Sequence, residues 1–128
     1  MEHVAIDREK AEEAGTFCTQ IVALKGEIVI DLICFTEESA RKLAEALNGK
    51  IKHFLHCGSM WVHGHSEQVP TTEEQTRKPF GEYGIDKAKI EAYLHAFHQE
   101  NGFPVTILHP GHIVGPGWLP VNPAGNFN

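Results

Sequence analysis

The 128-residue sequence has no run of basic residues, no long apolar stretch, no paired cysteine motif and no internal repeat. Each absence excludes something. A nucleic-acid surface needs clustered Lys and Arg for its phosphate contacts, and a net charge of -6 argues against such a partner. A helix that crosses a bilayer needs ~18 or more consecutive apolar residues; none is present, so no membrane partner is expected. The three cysteines, Cys18, Cys34 and Cys57, are odd in number and form no CxxC pair. Their apolar or small-residue surroundings read as reduced, buried thiols. Met1-Glu2-His3-Val4 lacks the basic and apolar regions of a secretory leader. Cytoplasmic residence is the expectation. The length suits one compact domain, and 41% hydrophobic with 22% charged residues is an ordinary globular balance.

What is present is an alternation of apolar runs and helical patterns. His3-Val4-Ala5-Ile6-Asp7 is short and β-like, and residues 9–24 read as a helix with Gly15 as its weak point. Glu27 to Phe35 is a nearly continuous apolar run rich in β-branched residues, the pattern of a strand covered on both faces in a parallel sheet. Thr36 suits an N-cap, with Glu37 and Glu38 in the first turn. Ala40, Leu43, Ala44 and Leu47 make one apolar stripe, ended by Asn48-Gly49. A second strand is expected over Lys52 to Ser59. Residues 64–80 are polar, carry Pro70 and Pro79, and read as a long loop of the kind that is often functional. A helix from about Glu82 to Glu100 buries Ile90, Leu94 and Phe97 and stops at Asn101-Gly102. Pro104 to Leu108 is the last strand, followed by a Gly/Pro-rich tail. The expected fold class is α/β: a partial Rossmann-like three-layer fold with a mostly parallel sheet and right-handed crossovers.

Three features converge on one edge of that sheet. Ser59 ends a strand, where open α/β sheets bind ligands. Tyr83 and Lys87 are one turn apart on a helix and share a face. "HPGHIVGPG", residues 109–117, follows the next strand. A free tyrosine, with a pKa near ~10, is a poor base at neutral pH. A nearby ammonium favours a phenolate, and a serine orients the substrate oxygen while the phenol moves a proton. Alone, Tyr-x-x-x-Lys is common on solvated helix faces; the convergence is what favours chemistry.

These blocks, "HFLHCGSMWVHG", "EYGIDKAKIEAYL" and "VTILHPGHIVGPG", resemble the extended short-chain dehydrogenase/reductase family, the NAD-dependent epimerases and dehydratases. The resemblance implies catalytic roles for Ser59, Tyr83 and Lys87, with Lys87 also holding the nicotinamide ribose. It implies cofactor contacts at Asp7 and Arg8 (after the family's third strand), at Leu32, Ile33 and Cys34 (after its fourth), and at Pro110, Gly111, His112 and Ile113. His63 and His112 fall nearest the implied substrate pocket. NAD or NADP is the implied cofactor, and a nucleotide sugar or related alcohol or ketone the implied small-molecule substrate. Residues 1–128 then form a single partial NAD(P)-binding domain, from the third strand through the loop after the sixth.

The departures are specific. No G-x-x-G-x-x-G or G-x-G-x-x-G turn occurs in these residues, so the first strand, first helix and second strand of the family fold are expected to have no counterpart here, and the C-terminal substrate part is likewise expected to be missing. His109 replaces the usual Arg, and His63 stands where many members have Tyr. Loss of the first two strands leaves the family's central fourth strand as a free edge, a hazard for pairing. The expectation is that residues 3–7 re-dock onto it or that two chains pair there as a homo-oligomer. The alternative function is a catalytically inactive remnant serving as a structural or protein-binding module.

Nine histidines supply the rival signal of a metal site. His53 and His56 are three apart on a strand and therefore point to opposite faces. His63 and His65 share a face but lack evident further ligands. No metal is expected.

Overall fold

The computed structural model describes residues 3–65, 70–111, 113, 115 and 116. Along the chain run α1 (Arg8–Glu13), α2 (Phe17–Ala23), β1 (Ile28–Asp31), α3 (Glu37–Leu47), β2 (His53–Cys57), a 3-10 turn (Met60–Val62), α4 (Gly81–Asn101) and β3 (Val105–Leu108). The strands form one parallel sheet in the order β1-β2-β3, with Ile28 opposite His53 and Phe54 opposite Val105. α3 connects β1 to β2 and α4 connects β2 to β3, and the two helices pack against each other. Parallel neighbours require such crossovers.

Local chemistry accounts for the helix ends. The Thr36 Oγ1 accepts the Ser39 N–H at 3.2 Å, and Glu37 and Glu38 occupy the first turn of α3, as expected. Its stripe of Ala40, Leu43, Ala44 and Leu47 is buried against Ile90 and Leu94 of α4. Phe54 of β2 and Phe103, just before β3, complete this core with ring centroids 5.5 Å apart. α4 ends at Gly102, whose φ of 68° is a left-handed helix stop.

Four expectations are corrected. Residues 3–7 lie outside the sheet and form no strand, so they do not re-dock on β1; Arg8, the next residue, is anchored on the Asp31 and Ser39 side chains instead. The helix over 9–24 is broken into α1 and α2, with Gly15 at φ 66° between them. β1 ends at Asp31, short of the expected Phe35. The fourth correction concerns cover. Among the described residues only one face of the sheet is covered: Phe54 and His56 are buried under the helices, while Ile28, Ile30 and Leu108 are 63%, 59% and 48% exposed. The apolar run over β1 is thus written for cover that these residues do not supply.

Arg8 holds the N-terminal segment down. Its guanidinium donates to Asp31 Oδ1 at 2.6 Å and to the Ser39 hydroxyl at 2.8 Å, while Nε donates to Glu12 at 2.8 Å. The same group lies 4.8 Å from the Phe17 ring centroid. One side chain thereby ties α1 to α2, β1 and α3. Arg suits this because its planar fork can satisfy several acceptors at once.

Candidate active site

Lys87 is 2% exposed, on the face of α4 that meets the carboxyl ends of the strands. Its ammonium donates to the Cys34 carbonyl at 2.8 Å and to the Cys57 carbonyl at 2.7 Å. It also lies 5.2 Å from the Phe35 ring centroid and 5.8 Å from that of Tyr83. Burial pushes the Lys87 pKa below its ordinary value, since a low-dielectric site disfavours the charged form.

Ser59 is 5% exposed and follows β2 directly. Its Oγ accepts the Trp61 N–H at 3.2 Å and so caps the 3-10 turn. That turn is seated on the start of α4. The Trp61 carbonyl accepts the Phe80 N–H at 3.0 Å, and the Trp61 and Tyr83 rings meet edge-on with centroids 6.1 Å apart. Gly84 makes the contact possible, because a Cβ there would lie 2.8 Å from the Trp61 carbonyl oxygen. Phe80, the N-cap of α4, has no capping side chain; its hydrogen bond to Trp61 fixes the helix start instead. Ser59, Tyr83 and Lys87 thus belong to one packed unit at the carboxyl edge, with Tyr83 36% exposed at its surface.

The residues implied in cofactor contact are dispersed differently. Leu32 and Ile33 are exposed beyond β1, whereas the Cys34 thiol is buried and its carbonyl is bonded to Lys87. Asp7 caps α1 through the Lys10 N–H, and Arg8 is engaged in the clamp described above. The Pro110 carbonyl accepts the Met60 N–H at 3.3 Å, Gly111 packs near Met60, and Ile113 is exposed. His112 lies outside the described residues. The donor set suits the nicotinamide-ribose end of a dinucleotide, since an ammonium has three N–H donors and two have carbonyl acceptors here. These 128 residues contain no glycine-rich turn for the diphosphate.

His63 and His109, both departures from the family pattern, meet in space. His63 Nε2 and His109 Nδ1 are 3.0 Å apart, and His109 Nε2 is 3.0 Å from a carboxylate oxygen of Glu91. The Glu91 side chain is 3% exposed and also pairs with Arg77 at 2.7 Å. Sequence reasoning missed Glu91 and Arg77; the signal for Glu91 was its place one turn beyond Lys87 on the same face. His63 and His109 line a cleft of about 250 Å³ with Thr71, Thr72 and Glu73. A larger cleft of about 650 Å³ lies between the N-terminal helices and α3, lined by Glu12, Cys18 and Lys42, away from Ser59, Tyr83 and Lys87. His53 and His56 diverge as their spacing requires: His53 meets Thr106, while His56 is buried in the core.

The sequence model of the NAD dependent epimerase/dehydratase family matches residues 36–126. The chain belongs to that family. It is 30% identical over 95 residues to 2'-dehydrokanamycin reductase of Streptomyces kanamyceticus, a match covering 74% of this chain and 27% of that protein. UDP-glucuronic acid 4-epimerase from Bacillus cereus, solved in complex with NAD, superposes with a TM-score of 0.58 at 26% identity, over 64% of this chain and 27% of that one. UDP-glucose 4-epimerase from Thermotoga maritima, solved with UDP-glucose, superposes with a TM-score of 0.69 over 93% of this chain and 43% of that one, at 24% identity. The chain spans about a quarter of the length of the curated relatives it matches. Family membership accounts for the parallel sheet with its helical crossovers and for the family's nicotinamide cofactor. Among the described residues, no helix is long and apolar enough to cross a membrane.

Proposed function

We propose that this chain carries the proton-transfer site of an NAD(P)-dependent epimerase, dehydratase or reductase acting on a nucleotide sugar or related alcohol or ketone. The observation that carries the reading is the placement of the Lys87 ammonium, fixed at the ends of two strands and 5.8 Å from the Tyr83 ring centroid. In this reading Tyr83 gives and takes the proton of the substrate hydroxyl, with the Lys87 ammonium held beside its ring. Ser59 orients the reacting oxygen. The remaining ammonium N–H of Lys87 would hold the nicotinamide ribose, with Leu32, Ile33 and Cys34 beside the diphosphate, Pro110, Gly111, His112 and Ile113 beside the nicotinamide, and Asp7 and Arg8 toward the adenine. The nicotinamide, when bound, supplies the hydride chemistry. His63 and His112 contact the substrate. Cytoplasmic residence fits the free thiols of Cys18, Cys34 and Cys57.

A second reading is favoured by one observation: Ser59 and Lys87 both already have structural hydrogen bonds. In that reading the chain is an inactive structural or protein-binding module. Calorimetric titration with NAD(H) and NADP(H) separates the two. Saturable micromolar binding, lost in a folded Lys87→Ala variant, supports the enzyme reading; no binding at millimolar cofactor supports the module. Pairing of two chains along β1 is part of either reading.

A further inference from the structure

The cleft beside His63 is uneven in charge. Its described lining residues include neither Lys nor Arg, and Glu73 is the one carboxylate among them. Two basic groups lie close by, but both are already engaged. The Arg77 guanidinium pairs with the buried Glu91 carboxylate at 2.7 Å. His109 has both ring nitrogens occupied whatever its charge, Nδ1 with His63 and Nε2 with Glu91. Burial first, then His109 and Arg77, push the His63 pKa below its ordinary value, so His63 adds no cation at neutral pH. Glu73 acts on the same ring in the opposite sense, which places its carboxylate within electrostatic reach of His63. Among the described residues no ion pair or hydrogen bond engages that carboxylate.

We propose that Glu73 makes this cleft a charge filter for a single polyol ring, one that takes neutral or amine-bearing rings and rejects carboxylate-bearing ones. The volume of about 250 Å³ lies below the ~300–1,000 Å³ of pockets that hold drug-sized molecules, so one ring fits and a nucleotide does not. Thr71, Thr72 and His63 give the lining the mixed donors and acceptors that ring hydroxyls need. This deepens the function proposed above by naming the charge class of the substrate. Only the identification of the ring with the substrate rests on that reading.

The discrimination is electrostatic. An ammonium on the ring meets Glu73 and gains an ion pair. A carboxylate meets like charge, and the cations that would offset it are committed to Glu91. Glu73 is exposed, so water and salt screen the effect. The preference is therefore a few-fold one, and it depends on ionic strength.

Three probes that differ only at carbon 6 of the sugar test the filter: UDP-6-amino-6-deoxyglucose, UDP-glucose and UDP-glucuronic acid. Their shared uridine diphosphate cancels in the comparison. Titrated into the full chain at low salt and followed by the NMR shifts of His63, the amine is expected to bind about threefold tighter than UDP-glucose and the acid about threefold weaker, the size of a screened ion pair. Both differences are expected to shrink at ~1 M salt, where the screening length is only ~3 Å. Glu73→Gln is expected to bring the three affinities together. Glu74→Gln, which removes the same charge from an exposed neighbour outside the lining, is expected to keep their order. Equal affinities in the unaltered chain, a preference for the acid, or an unchanged order in Glu73→Gln overturns the filter. So does a failure of all three probes to bind or to move His63. Titration with NAD(H) keeps the two readings apart: an indiscriminate cleft in a chain that binds NAD(H) removes only the filter, and a discriminating cleft in a chain that does not removes only the enzyme.

Discussion

The Lys87 ammonium donates a 2.7 Å hydrogen bond to the main-chain carbonyl of Cys57, 30 residues before it. With its second bond, to Cys34, it bridges the ends of β1 and β2. Replacing Lys87 with Met keeps the length of the stem and strands both carbonyls. The expected loss is about 2 kcal/mol, the scale of hydrogen bonds made by a charged group, read as a lowered urea midpoint at unchanged m-value. Unchanged stability would show that both carbonyls find other donors.

A second prediction concerns acid. His56 is 1% exposed, and neither ring nitrogen has a partner among the described residues. Burial, reinforced by the Lys87 charge, lowers its pKa from 6.5 to about 4. Between those values the unfolded chain binds more protons than the folded one, so stability rises with pH there. The contribution is complete above pH 6.5 and is lost as pH falls toward about 4. Its size is on the order of 3 kcal/mol, at about 1.4 kcal/mol per pKa unit. His56→Leu is expected to reduce the slope of unfolding free energy across this window; an unaltered slope would locate the acid sensitivity elsewhere.

The Arg8–Asp31 pair is asymmetric in its consequences. Asp31 is 5% exposed, so Arg8→Met leaves a buried carboxylate without its cation, at a cost of about 3 kcal/mol. Arg8→Met combined with Asp31→Leu removes both charges and is expected to recover most of that loss. Chemical denaturation of the two singles and the double gives the coupling directly. Additive effects would mean that the clamp does not act as a pair.

The bare edge of β1 leads to a fourth prediction. An uncovered apolar strand invites pairing, and Ile30 is 59% exposed on it. Light scattering on a sizing column is expected to show dimers that Ile30→Lys converts to monomers. A wild-type monomer at tens of micromolar, on the order of the concentrations where exposed edges associate, would sink the idea.

The extent to which all this was legible depends on the range of the interaction. Thr36, Gly102 and the stripe on α3 act within a few residues, and the local pattern located them well. Ser59, Tyr83 and Lys87 were singled out by their order along the chain, and the structure packs their elements together. What stayed hidden was set by distant partners. Residues 3–7 have strand-like composition, yet they lie outside the sheet and leave the edge of β1 unpaired by them. Arg8 finds Asp31, 23 residues later, a contact that no local pattern announces. The joining of His63 to His109 spans 46 residues; each was visible as a departure, but nothing in the sequence paired them.

Gly84 has a consequence for dissecting the site. It sits between Tyr83 and Lys87 in the sequence, and a methyl group there would drive a wedge between the Trp61 carbonyl and α4. The turn capped by Ser59 and the helix bearing Tyr83 would be pried apart together. Alanine at this one position is therefore a spacer, a means of changing the distance between serine and tyrosine while leaving the chemistry of both intact.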